Sequence, residues 1–152
     1  MSKKITVGLI CGGTSGEHEV SLISAFNIQS ALDFEKYDVL MIGIDKNGSW
    51  FLGEPRNFFK NINNVEEVSF KKNLTTSLPQ KNTYKNKDLE RVDVFFPITH
   101  GKHGEDGVLQ GIIELTGKPY VGSDVYGSSI CMDKDVTKRL LSQRGIPVAR
   151  QR

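Results

Sequence analysis

Residues 5–32 read ITVGLICGGTSGEHEVSLISAFNIQSAL, and this stretch decides the fold. Residues 5–10 form an unbroken apolar run, the pattern of a parallel strand buried on both faces. Gly12 and Gly13 then break it. Over residues 14–32, apolar side chains recur at Val20, Ile23 and Phe26 and, one turn further round, at Leu22, Ala25 and Ile28. That spacing predicts a helix with one stripe laid against a sheet. Strand, glycine-rich turn and helix together are the opening unit of an α/β domain.

Working outward, residues 37–45 (YDVLMIGID) read as a second buried strand, and Asn47-Gly48 before residues 49–52 is a strong hairpin signal. Residues 54–90 are rich in asparagine and lysine and hold Pro55 and Pro79, which predicts an irregular surface insertion with one short strand at 65–70. The rhythm resumes with a strand at 92–99, a second glycine-rich loop at 100–107 and a helix at 108–115 stopped by Gly117. A strand at 119–121, a short helix at 124–131 and a helix at 133–144 closed by Gly145 complete the chain. The alternation predicts an α/β fold: an open, mostly parallel sheet with helices on both faces, carrying a hairpin and an irregular insertion. Ligands of such sheets bind at the carboxyl ends of the strands, where both glycine-rich loops fall.

Composition narrows the function classes. The 152 residues are 38% hydrophobic and 25% charged, the profile of a single soluble globular domain. A net charge of +2 is too small and scattered for a nucleic-acid binder. No apolar run approaches the roughly 20 residues that cross a bilayer. Met1-Ser2-Lys3-Lys4 leads straight into a strand without a signal-peptide core, so a cytoplasmic protein with no membrane partner is expected. Cys11 and Cys131 read as two reduced, packed thiols, and neither has a metal spacing.

The first loop, residues 12–19, lacks the G-x-G-x-x-G and Gly-Lys-Ser/Thr patterns, so neither a dinucleotide nor a P-loop nucleotide is indicated. A glycine-rich turn feeding a helix N-terminus favours a negative group. Glu17 then has two readings. Thr14 and Glu17 fit a capping box; alternatively, backbone donors beside one carboxylate offer places for both ends of a small zwitterion such as an amino acid. In the second loop, His100 and His103 are three apart, but without a closed ligand set a plain turn is favoured over zinc. Asp106 is placed as the N-cap of the next helix, and Glu105 complements its dipole. His100, at a strand's end, is the functional candidate, against a structural histidine. Lys134 lies in the first turn of a helix, where a cation opposes the dipole unless an anion intervenes; with Asp133 and Asp135 beside it, residue type favours a solvated lysine.

GGTSGEHEVSLISAFNI, FFPITHGKHGEDGVLQG and KPYVGSDVYGSSICMDKDVTKRLL, in that order, closely resemble the N-terminal part of the D-alanine–D-alanine ligase family of the ATP-grasp superfamily, across residues 4–150. The resemblance implies a Rossmann-like pre-ATP-grasp domain. Residues 1–122 would be the substrate-binding domain, with its insertion at 54–90, and residues 123–152 the connecting helices and the start of a truncated central ATP-grasp domain. It also implies ATP-dependent formation of the D-alanyl-D-alanine dipeptide of peptidoglycan through an acyl phosphate. By resemblance, Glu17 anchors the ammonium of the first D-alanine, Val20 packs beside that substrate and His100 lies near its reacting carboxylate. Lys134 would meet the ATP phosphates, against the solvated reading. ATP and Mg2+ are the implied cofactors, bound mainly by parts of the family chain beyond this one, so the 152 residues alone are expected to be inactive. A homodimer is implied, and Tyr126 or the Phe58-Phe59 pair are the aromatic candidates for an interface. A D-alanine–D-lactate ligase and a non-catalytic module for an amino acid or nucleotide are the alternatives.

Overall fold

A computed structural model describes residues 3–71, the strand at 76–78 and residues 87–150. Its sheet runs in the order β6-β3-β2-β1-β7. β1 (Ile5–Gly12) lies between β2 (Tyr37–Ile44) and β7 (Val94–Pro97) and is parallel to both. β3 (Trp50–Gly53) folds back antiparallel on β2 through the turn at Asn47-Gly48. The hairpin falls where Asn47-Gly48 marks it, but only Gly48 takes a positive φ (82), and the Asp45 carboxylate braces the turn by accepting from the N–H groups of Asn47 and Ser49. The fold is α/β, with parallel strands at the heart of the sheet.

Helices cover both faces. On one, α1 (His18–Ala31) buries Leu22 and Ala25 against Leu9, Cys11, Val39 and Met41. On the other, α3 (Val108–Glu114) buries Leu109 and Ile113 against Ile10, Leu40, Ile42 and Phe95, with Leu89 of the short α2 (Lys87–Glu90). The alternation of Leu9 and Ile10 between the two layers is the period-2 geometry of a strand buried on both sides.

The insertion departs from expectation. The predicted strand at 65–70 is only β5 (Ser69–Phe70), paired antiparallel with β4 (Phe59–Lys60) after a single 3-10 turn at Pro55–Asn57. β6 (Thr76–Leu78) adds an antiparallel edge to β3. The rest of the insertion, 72–75 and 79–86, lies outside the described residues. Nor is the segment purely superficial: Phe58 is fully buried and Val68 nearly so under the α1 layer. Phe58 meets Phe59 and Phe70 edge-on, with ring centroids 5.2 and 5.3 Å apart. Phe58 is therefore a core residue and not an exposed aromatic, Phe59 is partly buried beside it, and Tyr126 is exposed. Gly43 lets this pile approach the sheet, since a Cβ there would sit 2.7 Å from the Phe70 ring and 2.9 Å from Phe58.

Other boundaries shift too. The expected strand at 119–121 is a single parallel bridge between Tyr120 and Phe95. The last two helices are α4 (Val125–Met132), capped by Asp124, and α5 (Lys134–Gln143), capped by Asp133. No helix among the described residues is long and apolar enough to cross a membrane.

Cys131, near the end of α4, is exposed, which corrects the expectation of two packed thiols; Cys11 is fully buried. Burial pushes the Cys11 thiol well above the usual cysteine range, so it carries almost no thiolate at neutral pH. An aromatic disulfide reagent should therefore label one thiol per native chain. The second should appear only on unfolding, and Cys131→Ser should abolish the native signal; two fast-reacting thiols in the native protein would contradict this packing.

Candidate functional site

The site is built where β1 and β7, neighbours in the sheet, send their loops apart over its carboxyl edge. Gly12 (φ 90) and Gly13 (φ 108) turn the chain off β1 in a conformation that favours glycine, and a side chain on Gly12 would overlap the Ile44 carbonyl. Three polar groups fix this turn. Gly13 N–H donates to Ile44 O at 2.7 Å, and Gly12 N–H donates to the buried Ser21 Oγ at 2.8 Å. His18 Nδ1 lies 2.7 Å from Gly13 O; a carbonyl only accepts, so this nitrogen carries the proton. Ser21 also donates to Ile98 O at 2.6 Å, joining α1 to the end of β7.

The helix begins later than its apolar pattern suggests. α1 starts at His18, with Glu17 as N-cap residue, and the Glu17 side chain makes no capping bond. The capping box is thus not formed: Thr14 belongs to the loop, where its Oγ1 lies 3.3 Å from His103 Nδ1. Ser15 does the local bonding instead, accepting from Glu17 N–H and donating to the His100 carbonyl at 2.7 Å. Of the two glutamates that flank His18, Glu19 is committed to Lys46 at 2.6 Å, and that bond holds its carboxyl below the usual range. Glu17 forms no ion pair among the described residues. Its Oε2 lies 3.2 Å from where a Cβ on Gly101 would be, so it faces the second loop. Val20, one turn on, is about half exposed on the same side of the helix.

The second loop is held by its own acids. Glu105 Oε2 accepts from Gly101 N–H at 2.7 Å, while Oε1 lies 3.8 Å from His100 Nδ1. Asp106 accepts from His103 N–H and Val108 N–H, but the N-cap of α3 is Gly107 (φ 93), one residue later than expected. Glu105 is thus a loop brace and not merely a dipole complement.

The structure brings Glu17 and the His100 loop together, with Val20 one turn along the helix from Glu17. No hydrogen bond or ion pair joins them to Lys134 among the described residues. Lys134 opens α5 exposed to solvent, while Asp133 spends its carboxylate on the cap and Asp135 pairs with Arg139 at 2.7 Å. A cavity beside His100 does reach Cys131 and Met132, two residues short of it. Sequence reading missed Ser15, His18, Ser21 and Gln110. Only the His18–Ser21–Leu22–Ala25 spacing, a helical stripe with two polar members, could have signalled that the first glycine loop is tied down from the helix.

Residues 6–123 match the family model described as D-ala D-ala ligase N-terminus. The chain is 44% identical to D-alanine–D-alanine ligase A of Escherichia coli K12, over 97% of this chain and 43% of that protein. Its fold matches the D-alanine-D-alanine ligase from Coxiella burnetii with a TM-score of 0.74 at 33% identity, covering 98% of this chain and 44% of that one. It also matches the VanG D-Ala:D-Ser ligase from Enterococcus faecalis, with a TM-score of 0.72 at 37% identity, over 97% of this chain and 44% of that one. The chain therefore spans less than half the length of the relatives it matches. With most of its length under the family model and the fold of these ligases, the chain belongs to the D-alanine–D-alanine ligase family, as its N-terminal region.

Proposed function

We propose that this chain is the first-substrate lobe of an ATP-dependent D-alanine–D-alanine ligase. Residues 1–122 form the binding domain, and residues 123–152 connect it to a central ATP-grasp domain. The observation that carries this reading is the Glu17 carboxylate, which forms no ion pair among the described residues and is turned toward the His100 loop at the N-terminal end of α1. Glu17 takes the ammonium of the first D-alanine. The substrate carboxylate then points toward His100 and the positive end of the helix, and Val20 supplies an apolar contact for the methyl group. Such positioning presents the carboxylate for phosphorylation by ATP; the amine of a second D-alanine attacks the acyl phosphate, giving the dipeptide for peptidoglycan, ADP and phosphate. The protein acts in the cytoplasm as a homodimer.

The cofactors are held elsewhere. Among the described residues no three His, Cys, Asp or Glu side chains converge as metal ligands, and no step is routed through the ion. For ATP it offers Lys134, an exposed point charge that can meet a phosphate as it enters. A second reading concerns the nucleophile. The likeness to a D-Ala:D-Ser ligase places ligases of different second substrate on the same N-terminal architecture, so D-lactate or D-serine in place of the second D-alanine suits this lobe equally.

Two experiments test the proposal. The polypeptide at its full encoded length, given ATP and magnesium, should release ADP with D-alanine and not with L-alanine, and a D-lactate arm separates the nucleophiles. Glu17→Gln should raise the D-alanine KM about 10- to 100-fold, the worth of a hydrogen bond to a charged group. The 152 residues alone should not turn over, and D-alanine-dependent ADP release by them would refute their role as a lobe. Gly101→Ala probes the geometry: φ 69 and the 3.2 Å approach to Glu17 make a methyl group strained there. It should cost about 1 kcal/mol of stability and weaken D-alanine binding. A Gly101→Ala protein with wild-type melting and wild-type KM would remove the contact between the loops from the mechanism.

A further inference from the structure

Gln110 Oε1 and His100 Nε2 are buried without hydrogen-bond partners among the described residues, and both residues line one cavity of about 430 Å³ beside the second loop. Gln110 stands in the first turn of α3 and is only 7% exposed. Its Nε2 donates to Gly104 O at 3.0 Å, and Thr99 Oγ1 donates to the same carbonyl at 3.3 Å. This bond orients the amide, because a flipped amide would set oxygen against oxygen; the carboxamide oxygen therefore faces the cavity. The loop has no slack at this point, since a Cβ on Gly104 would fall 2.7 Å from Thr99 Oγ1.

The imidazole is oriented from its other edge. Glu105, braced by Gly101 N–H, holds a carboxylate oxygen 3.8 Å from His100 Nδ1. In the neutral ring that neighbour favours the proton on Nδ1 and leaves a lone pair on Nε2. Both orphaned atoms are then acceptors, and neither can satisfy the other. Leaving them unpaired in a buried setting is costly, and one group carrying two donors resolves both. Ser123 and Ser128 also line the cavity.

We propose that this cavity holds a site for a two-donor group, occupied in the free protein by an ordered water bonded to Gln110 Oε1 and His100 Nε2. The cavity is polar and roomy enough for one. Gln110 is thereby a positioning residue for His100. Its nitrogen fixes the loop through Gly104, and its oxygen, through the water, fixes the ring plane, while Glu105 favours the Nδ1–H tautomer. An ammonium group offers the same donors, so the test is run in buffer free of ammonium and amines.

The test reads ring nitrogens and needs neither ATP nor D-alanine, so it stands or falls apart from the ligase reading. Long-range proton–nitrogen correlation spectra of the 15N-labelled 152-residue chain are recorded at about pH 8.5, where an ordinary imidazole is neutral. His100 should be a single Nδ1–H tautomer, with its ring protons in Overhauser contact with a long-lived water. Gln110→Met should abolish the water contact and shift the His100 ring resonances. His18, held by Gly13 O, should keep its Nδ1–H signature as the internal control. An Nε2–H tautomer in the wild type, or an unchanged His100 in a Gln110→Met chain whose His18 is intact, would overturn the proposal. The wild-type spectrum decides even where the variant does not fold.

Discussion

One buried hydroxyl holds the loops of this domain in place. β1 and β7 pair only as far as Ile10 and Pro97, and beyond that point they diverge to opposite sides of the crevice. Divergence strips backbone groups of their sheet partners at a depth where water does not reach. Ser21 Oγ stands in the gap, accepting from Gly12 N–H and donating to Ile98 O. Each group left unpaired there would cost about 1–3 kcal/mol. The same hydroxyl pins the first turns of α1 to both strands, so the strand ends, the glycine-rich turn and the helix N-terminus move as one body.

The rest of the site inherits that geometry. With α1 fixed, His18 reaches back to the Gly13 carbonyl and presents its ring edge to Phe70 at 5.6 Å, which links the turn to the aromatic pile of the insertion. Glu17, at the N-cap, is then aimed away from its own helix and toward Gly101. Ser15 closes the arrangement by bonding the His100 carbonyl across the crevice. A loop-to-loop contact made by hydrogen bonds to backbone tolerates side-chain variation around it, and so leaves Glu17 and His100 free for a ligand.

Much of this was legible in the sequence because it rests on local rules. Buried strands show as apolar runs, Asn47-Gly48 turns a hairpin, and Asp133 with Gly145 bounds a helix. What was not legible rests on tertiary partners. The start of α1 was misplaced because Thr14 and Glu17 satisfy a local capping rule, while the fold gives Ser15 and Thr14 partners some 85 residues away. The buried face of α1 carries His18 and Ser21, which hydrophobic periodicity counts as solvent-facing. The cap of α3 fell on Gly107 because Asp106 was already engaged with His103. Phe58 read as surface because nothing local announces that an asparagine-rich segment will fold its aromatic residues back under a helix.

The exposure of the site explains why a lobe of this kind needs a second body. Glu17 is exposed and Val20 about half so, which leaves one wall of the crevice open to water. An ion pair in that setting is worth about 0–1 kcal/mol, too little to select a small zwitterion at ordinary concentrations. Excluding water lowers the local dielectric and strengthens the same contact several-fold without moving an atom of this chain. The Ser21 clamp makes that economical: the donors and the carboxylate are already in place, so closure by the remaining part of such a ligase has only to remove water. On the proposed reading, specificity for an amino acid over an amine or a simple acid follows from geometry built here, while affinity follows from the part that covers it.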